Sequence, residues 1–400
     1  MKSRLSRREV LTSALAFAWS AQAGAIDFQK LPVGDIADRV DPWIELIPEA
    51  YQRNIAAITA RAGGRPVIAV LKNNAYGLGV TEVASILEQV EGVWGFALVQ
   101  AEDALSLRAA GIRKPILLMA RHATGEGEPL ARASVTLSAF DDDDPERLDR
   151  LARSLGRPVG VHLYVDTGLG RMGRFHTRLG SWLDSLAEAA RIEGAFTMLT
   201  SDKSFAGEQL RRFREVRTAL SRRGLADGLF HAASSAPLLH EPAARLDAVR
   251  PGILLHGSPP GAEPDESRLI DLEVAFRLCA RVVRLERLPA GTTLGFSRFY
   301  KIESPTWIAT LPTGWGDGYP SAAENGAVVL AKGRSFKVVN VNSNHTNVLV
   351  GSEKKLEVGD AVTLVGPDDP AVTPEGLAKS IGGHNYRQID LKGYLPKFIR

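Results

Sequence analysis

The sequence contains little cysteine and almost no excess of charge. Cys279 is its only cysteine, which excludes an internal disulfide and a metal site built from cysteines. The 49 basic and 46 acidic residues nearly cancel and are dispersed along the chain, so the charge gives no reason to expect a nucleic-acid partner. With 44% hydrophobic residues, the 400-residue chain can build two domains, each with its own core.

Long apolar runs are also missing after the N-terminus, so no membrane span is expected in the mature chain. The N-terminus itself predicts an export signal over residues 1–23. Arg7 and Arg8 form a twin-arginine pattern, residues 11–21 are apolar, and Ala21-Gln22-Ala23 is a small-residue cleavage site. An ordinary basic amphipathic start is the alternative. The signal would place the mature protein in the periplasm.

From residue 40 to 257, short apolar runs alternate with longer amphipathic stretches, which predicts repeated strand–helix units and a mainly parallel sheet. About eight such units favour a (β/α)8 barrel over an open doubly wound sheet. The predicted strands are Trp43–Leu46, Val67–Leu71, Trp94–Leu98, Ile116–Met119, Val135–Leu137, Val159–Val165, Ala195–Leu199, Leu229–Ala232 and Ala248–Leu254. The predicted helices are Pro48–Ala62, Val80–Val90, Ala101–Ala110, Glu146–Ser154, Leu179–Arg191 and Gly207–Arg222.

A second domain is predicted after the connector at residues 258–265, which is rich in proline and glycine. Over residues 270–400 the pattern changes to short strand-like segments separated by turns, which indicates a mostly β domain. Its one long helical pattern is Pro374–Ile381. In the first domain, the acidic run Asp141–Asp144 predicts a solvated turn. It lacks the ligand spacing of a calcium loop, so no metal site is expected.

Lys72 follows the most apolar of the predicted strands. The carboxyl ends of barrel strands are where barrel enzymes hold their chemistry. An amine beside an apolar strand end gives up its proton more easily than a solvated one, which suits it to forming a Schiff base with a carbonyl compound. The alternative is a surface lysine whose stem packs on apolar neighbours.

A glycine pattern at Gly168, Gly170 and Gly173 matches G-x-G-x-x-G and follows a strand-like run. A dinucleotide fold is therefore an alternative. The pattern does not lie on a first strand, however, and no clear βαβ unit with a ribose-binding acid follows it, which argues against that fold.

Six segments, in order, resemble those of the bacterial alanine racemases, barrel enzymes that use pyridoxal 5'-phosphate (PLP). The resemblance extends from about residue 40 to the C-terminus. The segments are Val67–Gly79, Asp166–Gly173, His231–Ala236, Val249–Ile253, Pro289–Tyr300 and Trp307–Pro320.

The resemblance implies cofactor roles for residues of the first domain. Lys72 would carry PLP, and Tyr76 would help to hold its phosphate. Arg171 would contact both the substrate carboxylate and the phenolic oxygen of PLP, a task that suits the permanent charge and forked shape of a guanidinium.

Two further segments of the family pattern add residues that would contact the same cofactor. Ser235 matches the phosphate-binding serine, and Gly252 and Ile253 match residues that donate backbone N–H groups to phosphate. Arg250 would face the pyridine nitrogen. Because a guanidinium keeps its proton, the ring would be a weaker electron sink, which favours restrained proton removal over decarboxylation or elimination.

The chain departs from the family at the substrate side of the same pocket. Phe296 falls where the family has its second catalytic base, a tyrosine that reaches in from the partner subunit. Met198 replaces the histidine that supports that tyrosine, Trp315 replaces an entrance tyrosine, and Asn344-His345 replaces a methionine–aspartate pair.

Two more departures concern the same pocket. Tyr164 stands seven places before Arg171, where the family often has a lysine, sometimes carbamylated, so the support of Arg171 must differ. Asn385 aligns weakly with a tyrosine near the C-terminus. Cofactor contacts are thus kept while substrate contacts are changed.

A two-base racemase removes the α-proton on one face and returns a proton on the other. Lys72 is the expected catalytic base for one face. If this stretch is a strand, Tyr300 shares a face with Phe296, but the family has a tyrosine there with no catalytic task. His345 is the better substitute because imidazole titrates near neutral pH, although a solvent-facing loop residue is the alternative.

Three hypotheses follow. The first is a periplasmic PLP-dependent amino-acid racemase, expected to be a homodimer with shared active sites, that uses Lys72 with a substituted second base or by slow one-base exchange. The second is a PLP-dependent lyase or aldolase acting on a larger β-substituted amino acid. The third is a non-catalytic protein that binds PLP or an amino acid.

Overall fold

The computed structural model describes residues 41–261, 266–296, 298–383 and 391–400. The predicted export signal at residues 1–23 and Asn385 therefore lie outside the described residues. Within those residues, no helix is both long and apolar enough to cross a membrane. The described chain forms an α/β barrel followed by a mostly β domain, which confirms the predicted fold class.

The barrel wall consists of seven described parallel strands, each buried because helices cover the sheet from outside. In spatial order they are Val67–Val70, Val93–Leu98, Ile116–Leu118, Val135–Ala139, Val159–Asp166, Ala190–Phe196 and Leu229–His231. The helices are Pro48–Arg61, Val80–Glu88, Ala101–Ala109, Gly127–Arg132, Asp144–Leu155, Gly180–Ala189, Lys203–Ser221 and Ser235–His240. Helices Gly127–Arg132 and Ser235–His240 were not predicted; each spans only six residues.

The barrel closes through a very short eighth segment. Val249 forms a parallel bridge to Val67, and Ala248 forms one to His231. Ile68 N–H donates to the Val249 carbonyl at 2.8 Å, which joins the first and last segments of the wall. The strand predicted at Ala248–Leu254 is thus reduced to its first residues, and a 3-10 helix at Ile253–His256 follows.

The second domain is one nine-stranded sheet. Its strands in chain order are Trp43–Leu46, Phe276–Arg281, Arg284–Leu288, Thr306–Leu311, Val328–Ala331, Arg334–Val341, Thr346–Gly351, Ala361–Val365 and Lys397–Ile399. The helix Pro374–Ile381 forms as predicted. A separate hairpin of Thr293–Leu294 and Tyr300–Lys301 projects Phe296 at its tip.

The place predicted for Trp43–Leu46 is wrong. The strand forms, but it pairs antiparallel with Phe276–Arg281, placing Trp43 opposite Cys279, and parallel with Lys397–Ile399. It therefore belongs to the second sheet, not to the barrel. Cys279 is buried in this sheet, as expected for a thiol that serves core packing.

The acidic run was also wrongly predicted to be solvated throughout. Asp144 is fully buried at the start of its helix, and its carboxylate accepts the N–H groups of Phe140 and Asp141 at 2.6 and 2.8 Å. Arg121 pairs with Asp141 and Asp143. The carboxylates of this run thus fix the turn and anchor a neighbouring arginine.

Candidate active site

A cavity of about 440 Å³ opens at the carboxyl ends of the barrel strands. All seven residues predicted to bind the cofactor line it, together with Met198 of the predicted substrate pocket: Lys72, Tyr76, Arg171, Ser235, Arg250, Gly252 and Ile253. These residues follow four different strands, which a barrel brings to one end. The described lining contains three cationic side chains and no aspartate or glutamate.

A left-handed turn places Lys72 and Tyr76 in this cavity. Asn73, Asn74, Ala75 and Tyr76 have φ angles of 55°, 55°, 51° and 61°. This conformation costs roughly 1–2 kcal/mol for each residue other than glycine, and such strain clusters at functional sites. Lys72 Nζ lies 5.8 Å from the centroid of the Tyr76 ring.

Side-chain and backbone bonds hold the strained turn in place. Asn74 Oδ1 accepts the Val80 N–H at 2.7 Å. Gly77 has a φ of 86° and lies so close to the Leu391 carbonyl that a Cβ atom would clash with it. Only glycine fits both conditions, so the chain after Lys72 is fixed from both sides.

Tyr76, Ser235 and Gly252 meet on one side of the cavity. Gly252 N–H donates to Ser235 Oγ at 3.1 Å. A Cβ atom on Gly252 would fill the space next to the Tyr76 hydroxyl. Two hydroxyls and a glycine backbone that carries no side chain therefore converge, an arrangement that suits a phosphate.

Arg250 lines the cavity but is only 1% exposed. Its Nη1 donates to His231 Nδ1 at 2.6 Å and to the His231 carbonyl at 2.7 Å. Its Nη2 donates to the Thr197 carbonyl at 2.8 Å and contacts Met198 Sδ at 3.2 Å. Burial lowers the pKa of Arg250 to about 10, which leaves the guanidinium charged at neutral pH.

Two buried imidazoles continue from Arg250 into the barrel. His231 Nε2 lies 2.9 Å from His162 Nδ1. Burial first, and the Arg250 charge second, lower the pKa of His162 to about 3 and that of His231 well below its usual range. Both rings are therefore neutral, and His231 Nδ1 can accept from Arg250 while its Nε2–H donates to His162.

Arg171 extends from the loop after Val159–Asp166, and its Nη2 lies 3.4 Å from the Tyr164 hydroxyl. The same loop excludes the dinucleotide alternative. Asp166 Oδ1 accepts the N–H groups of residues 168–170 at 2.8 to 3.2 Å, so they are not open to a phosphate, and no helix begins until Gly180.

Comparisons with known proteins agree with this geometry. The family models "Alanine racemase, N-terminal domain" and "Alanine racemase, C-terminal domain" match residues 48–260 and 275–391. The alanine racemase of Desulforamulus reducens is 33% identical over 361 residues, which cover 87% of this chain and 95% of that protein. That of Syntrophobacter fumaroxidans is 35% identical over 353 residues, covering 86% and 93%. The chain belongs to the alanine racemase family.

Solved alanine racemases share the fold. The enzyme of a D-cycloserine-producing Streptomyces lavendulae superposes with a TM-score of 0.82 at 26% identity, covering 90% of this chain and 97% of that one. The enzyme of Clostridium difficile gives 0.80 at 27% identity, covering 88% and 93%. The suspected resemblance is thereby confirmed over both domains.

The residues that depart from the alanine racemase pattern in the second domain do not line the cavity of their own chain. Phe296 is 94% exposed and Trp315 is 55% exposed. Asn344 is exposed and His345 is half-buried, and His345 Nδ1 lies 3.0 Å from Asn344 Oδ1. A single chain thus brings together the predicted cofactor residues but not the predicted second base.

Sequence reasoning missed part of the cavity. Met119 and Phe196 line it, and the pair His231–His162 supports Arg250 from beneath. One signal was available, because alternation along Val159–Asp166 places His162 and Tyr164 on the same inward face.

Proposed function

We propose that the chain is a PLP-dependent amino-acid racemase with an altered substrate pocket. The observation that carries this proposal is the composition of the cavity lining. It contains the Lys72 amine and two arginines, and none of its described residues is acidic. Such a lining suits a ligand with several negative charges, as PLP and an amino-acid carboxylate together would be. The chain's family membership gives the same reaction class.

The residues present fit PLP. Tyr76, Ser235 and the backbone of Gly252 and Ile253 would hold the phosphate, and the Tyr76 hydroxyl lies so close to Gly252 that a Cβ atom there would clash with it. When bound, PLP supplies a ring that withdraws electrons from the substrate α-carbon. Arg250 would hold the pyridine nitrogen with a donor that keeps its proton, which limits the electron demand of the ring.

The altered side of the pocket is attributed to a second copy of the chain. Phe296 and Trp315 are large aromatic side chains exposed on the second domain, and solvent-exposed aromatics favour burial in an interface. A homodimer would set them against the cavity of the partner. Phe296 carries no ionisable group, so the second proton transfer would fall to another residue, such as His345, or racemisation would proceed slowly from Lys72 alone.

Isotope exchange tests the reaction. The purified, PLP-loaded protein is incubated in heavy water with each amino acid in both configurations. We expect deuterium at the α-carbon and accumulation of both enantiomers for at least one amino acid, and neither in Lys72→Ala. Exchange with retained configuration, or an aldehyde product, would contradict racemisation and favour the lyase hypothesis.

We also propose export to the periplasm, supported by the twin-arginine pattern of residues 1–23. Fractionation of cells that express the full chain, compared with an Arg7→Lys, Arg8→Lys variant, tests it. The variant should stay in the cytoplasm, whereas equal distribution of the two proteins would contradict the proposal.

A further inference from the structure

Tyr164 is the one described side chain that the structure places within hydrogen-bond reach of the Arg171 guanidinium. The two residues are seven apart, but the loop after the strand returns towards the barrel mouth and brings Arg171 Nη2 to 3.4 Å from the Tyr164 hydroxyl. Both residues line the cavity. Among the described residues, Arg171 has no ion pair with an acidic side chain.

The Tyr164 ring is rigidly held. It is 3% exposed and stacks on Phe196 with ring centroids 4.4 Å apart and planes 28° apart. Phe140 meets it edge-on at 5.7 Å. A Cβ atom on Gly173 would come within 2.8 Å of its Cδ2, so the loop also packs closely over the ring. A side chain packed on these sides keeps its hydroxyl at a fixed point.

The backbone that carries Arg171 is held separately. The Asp166 carboxylate accepts three successive N–H groups, those of Gly168, Leu169 and Gly170. The Arg171 side chain is itself exposed. The loop therefore fixes the position of the Arg171 backbone. The position of the Arg171 guanidinium is fixed by its contact with the Tyr164 hydroxyl.

The chemical nature of this contact matters for binding an anion. A carboxylate partner would neutralise the guanidinium and compete with a ligand, whereas a phenol hydroxyl accepts one N–H and leaves the positive charge. The other guanidinium of the cavity, Arg250, is used by His231 and by the Thr197 carbonyl. Arg171 is thus the cation best able to take a new anionic partner.

We propose that Tyr164 is a positioning residue that aims Arg171 at the carboxylate of the amino-acid ligand. This inference rests on the proposed function only for the identity of that carboxylate. Arg171 would then be supported by a phenol hydroxyl whose ring is packed between Phe140 and Phe196.

A double-mutant cycle with a carboxylate that cannot react tests the proposal. Propionate has the carboxylate of an amino acid but no amine, and its binding to the PLP-loaded protein is measured by calorimetry. We expect Tyr164→Phe to weaken propionate binding about fivefold, since hydrogen bonds to charged groups contribute modestly. Arg171→Gln should weaken it more. The double variant should bind no more weakly than Arg171→Gln alone, because Tyr164 acts through Arg171.

Two outcomes would overturn the proposal: equal binding by Tyr164→Phe and the parent protein, or losses that add in the double variant. Tyr319→Phe, a buried phenol of the second domain, is the matched control and should bind propionate as the parent does. The visible absorbance of bound PLP, read on the same samples, reports separately on the proposed function. A colourless protein that still shows the non-additive loss would uphold the Tyr164–Arg171 pairing and overturn only the PLP assignment.

Discussion

The two domains hold the predicted site residues in opposite ways. The barrel supplies a buried, tightly bonded set in which Arg250 makes hydrogen bonds to two carbonyls and an imidazole. The second domain supplies exposed side chains, such as Phe296 and Trp315, that touch nothing in the cavity of their own chain. Departures from the family pattern occur in both domains: Phe296 and Trp315 are exposed, whereas Tyr164 and Met198 lie in the barrel cavity. Exposed positions tolerate substitution more readily than positions fixed by many contacts.

Acid should lower the stability of the protein through the buried histidines of the barrel. Burial lowers the pKa of His256 to about 3, as it does for His162, and it lowers the pKa of His231 well below its usual value. Unfolded imidazoles titrate near pH 6.5, so between pH 6.5 and 3 the unfolded chain binds more protons than the folded one. Stability should therefore be complete above pH 6.5 and fall by several kcal/mol as the pH drops through this window.

Urea unfolding at pH 7, 6 and 5 measures that loss. His256→Asn removes one of these buried imidazoles, so below pH 6.5 the unfolding free energy of the variant should change less with pH, by about 1.4 kcal/mol per pH unit. A variant with the same pH dependence as the parent would mean that His256 is not held neutral.

A single added methyl group in the barrel should weaken PLP binding without changing any residue of the second domain. In Gly252→Ala the added Cβ atom would meet the Tyr76 hydroxyl. Overpacking of this kind costs about 1–3 kcal/mol, so we expect PLP affinity to fall by up to about a hundredfold, measured by fluorescence titration. Gly207→Ala is the control, since Gly207 lies in the helix Lys203–Ser221 with open space around it. Equal affinity in both variants would remove Gly252 from the phosphate site.

The sequence predicted more of the barrel than of the second domain. The meeting of the seven predicted cofactor residues in one cavity was predictable, because each lies in a short motif directly after a strand and a barrel brings strand ends together. The pairing of Trp43 with Cys279 could not be predicted, because it joins residues 236 apart in the chain and depends on the strand order of the second sheet. The spacing of Tyr164 and Arg171 marked the two positions, but their contact depends on a loop return that the Asp166 carboxylate fixes, and spacing alone does not give it.

A tyrosine hydroxyl at position 296 of the second domain should increase the rate of racemisation without changing the affinity for PLP. General acid–base groups typically contribute factors of about 10²–10⁴, and Met198 offers no polar support, so we expect Phe296→Tyr to increase kcat about tenfold. Phe299→Tyr, at another exposed phenylalanine of the same hairpin region, is the control and should give no increase. A gain of the same size in both, or in neither, would mean that position 296 does not reach the reacting carbon.

The smallest effect is expected deep in the second domain. The Tyr319 hydroxyl is buried and has no hydrogen-bond partner among the described residues. Leaving a buried polar group unpaired costs about 1–3 kcal/mol, so Tyr319→Phe should raise the free energy of unfolding by about 1 kcal/mol. Thermal unfolding measures it, and a lower Tm would reveal a partner for that hydroxyl.

The most direct measurement concerns Lys72. The purified protein is loaded with PLP, reduced with borohydride, digested and examined by mass spectrometry. We predict a single pyridoxyl group on the peptide that contains Lys72, and no labelled peptide from Lys72→Ala. Label on a different lysine, or none at all, would contradict the account.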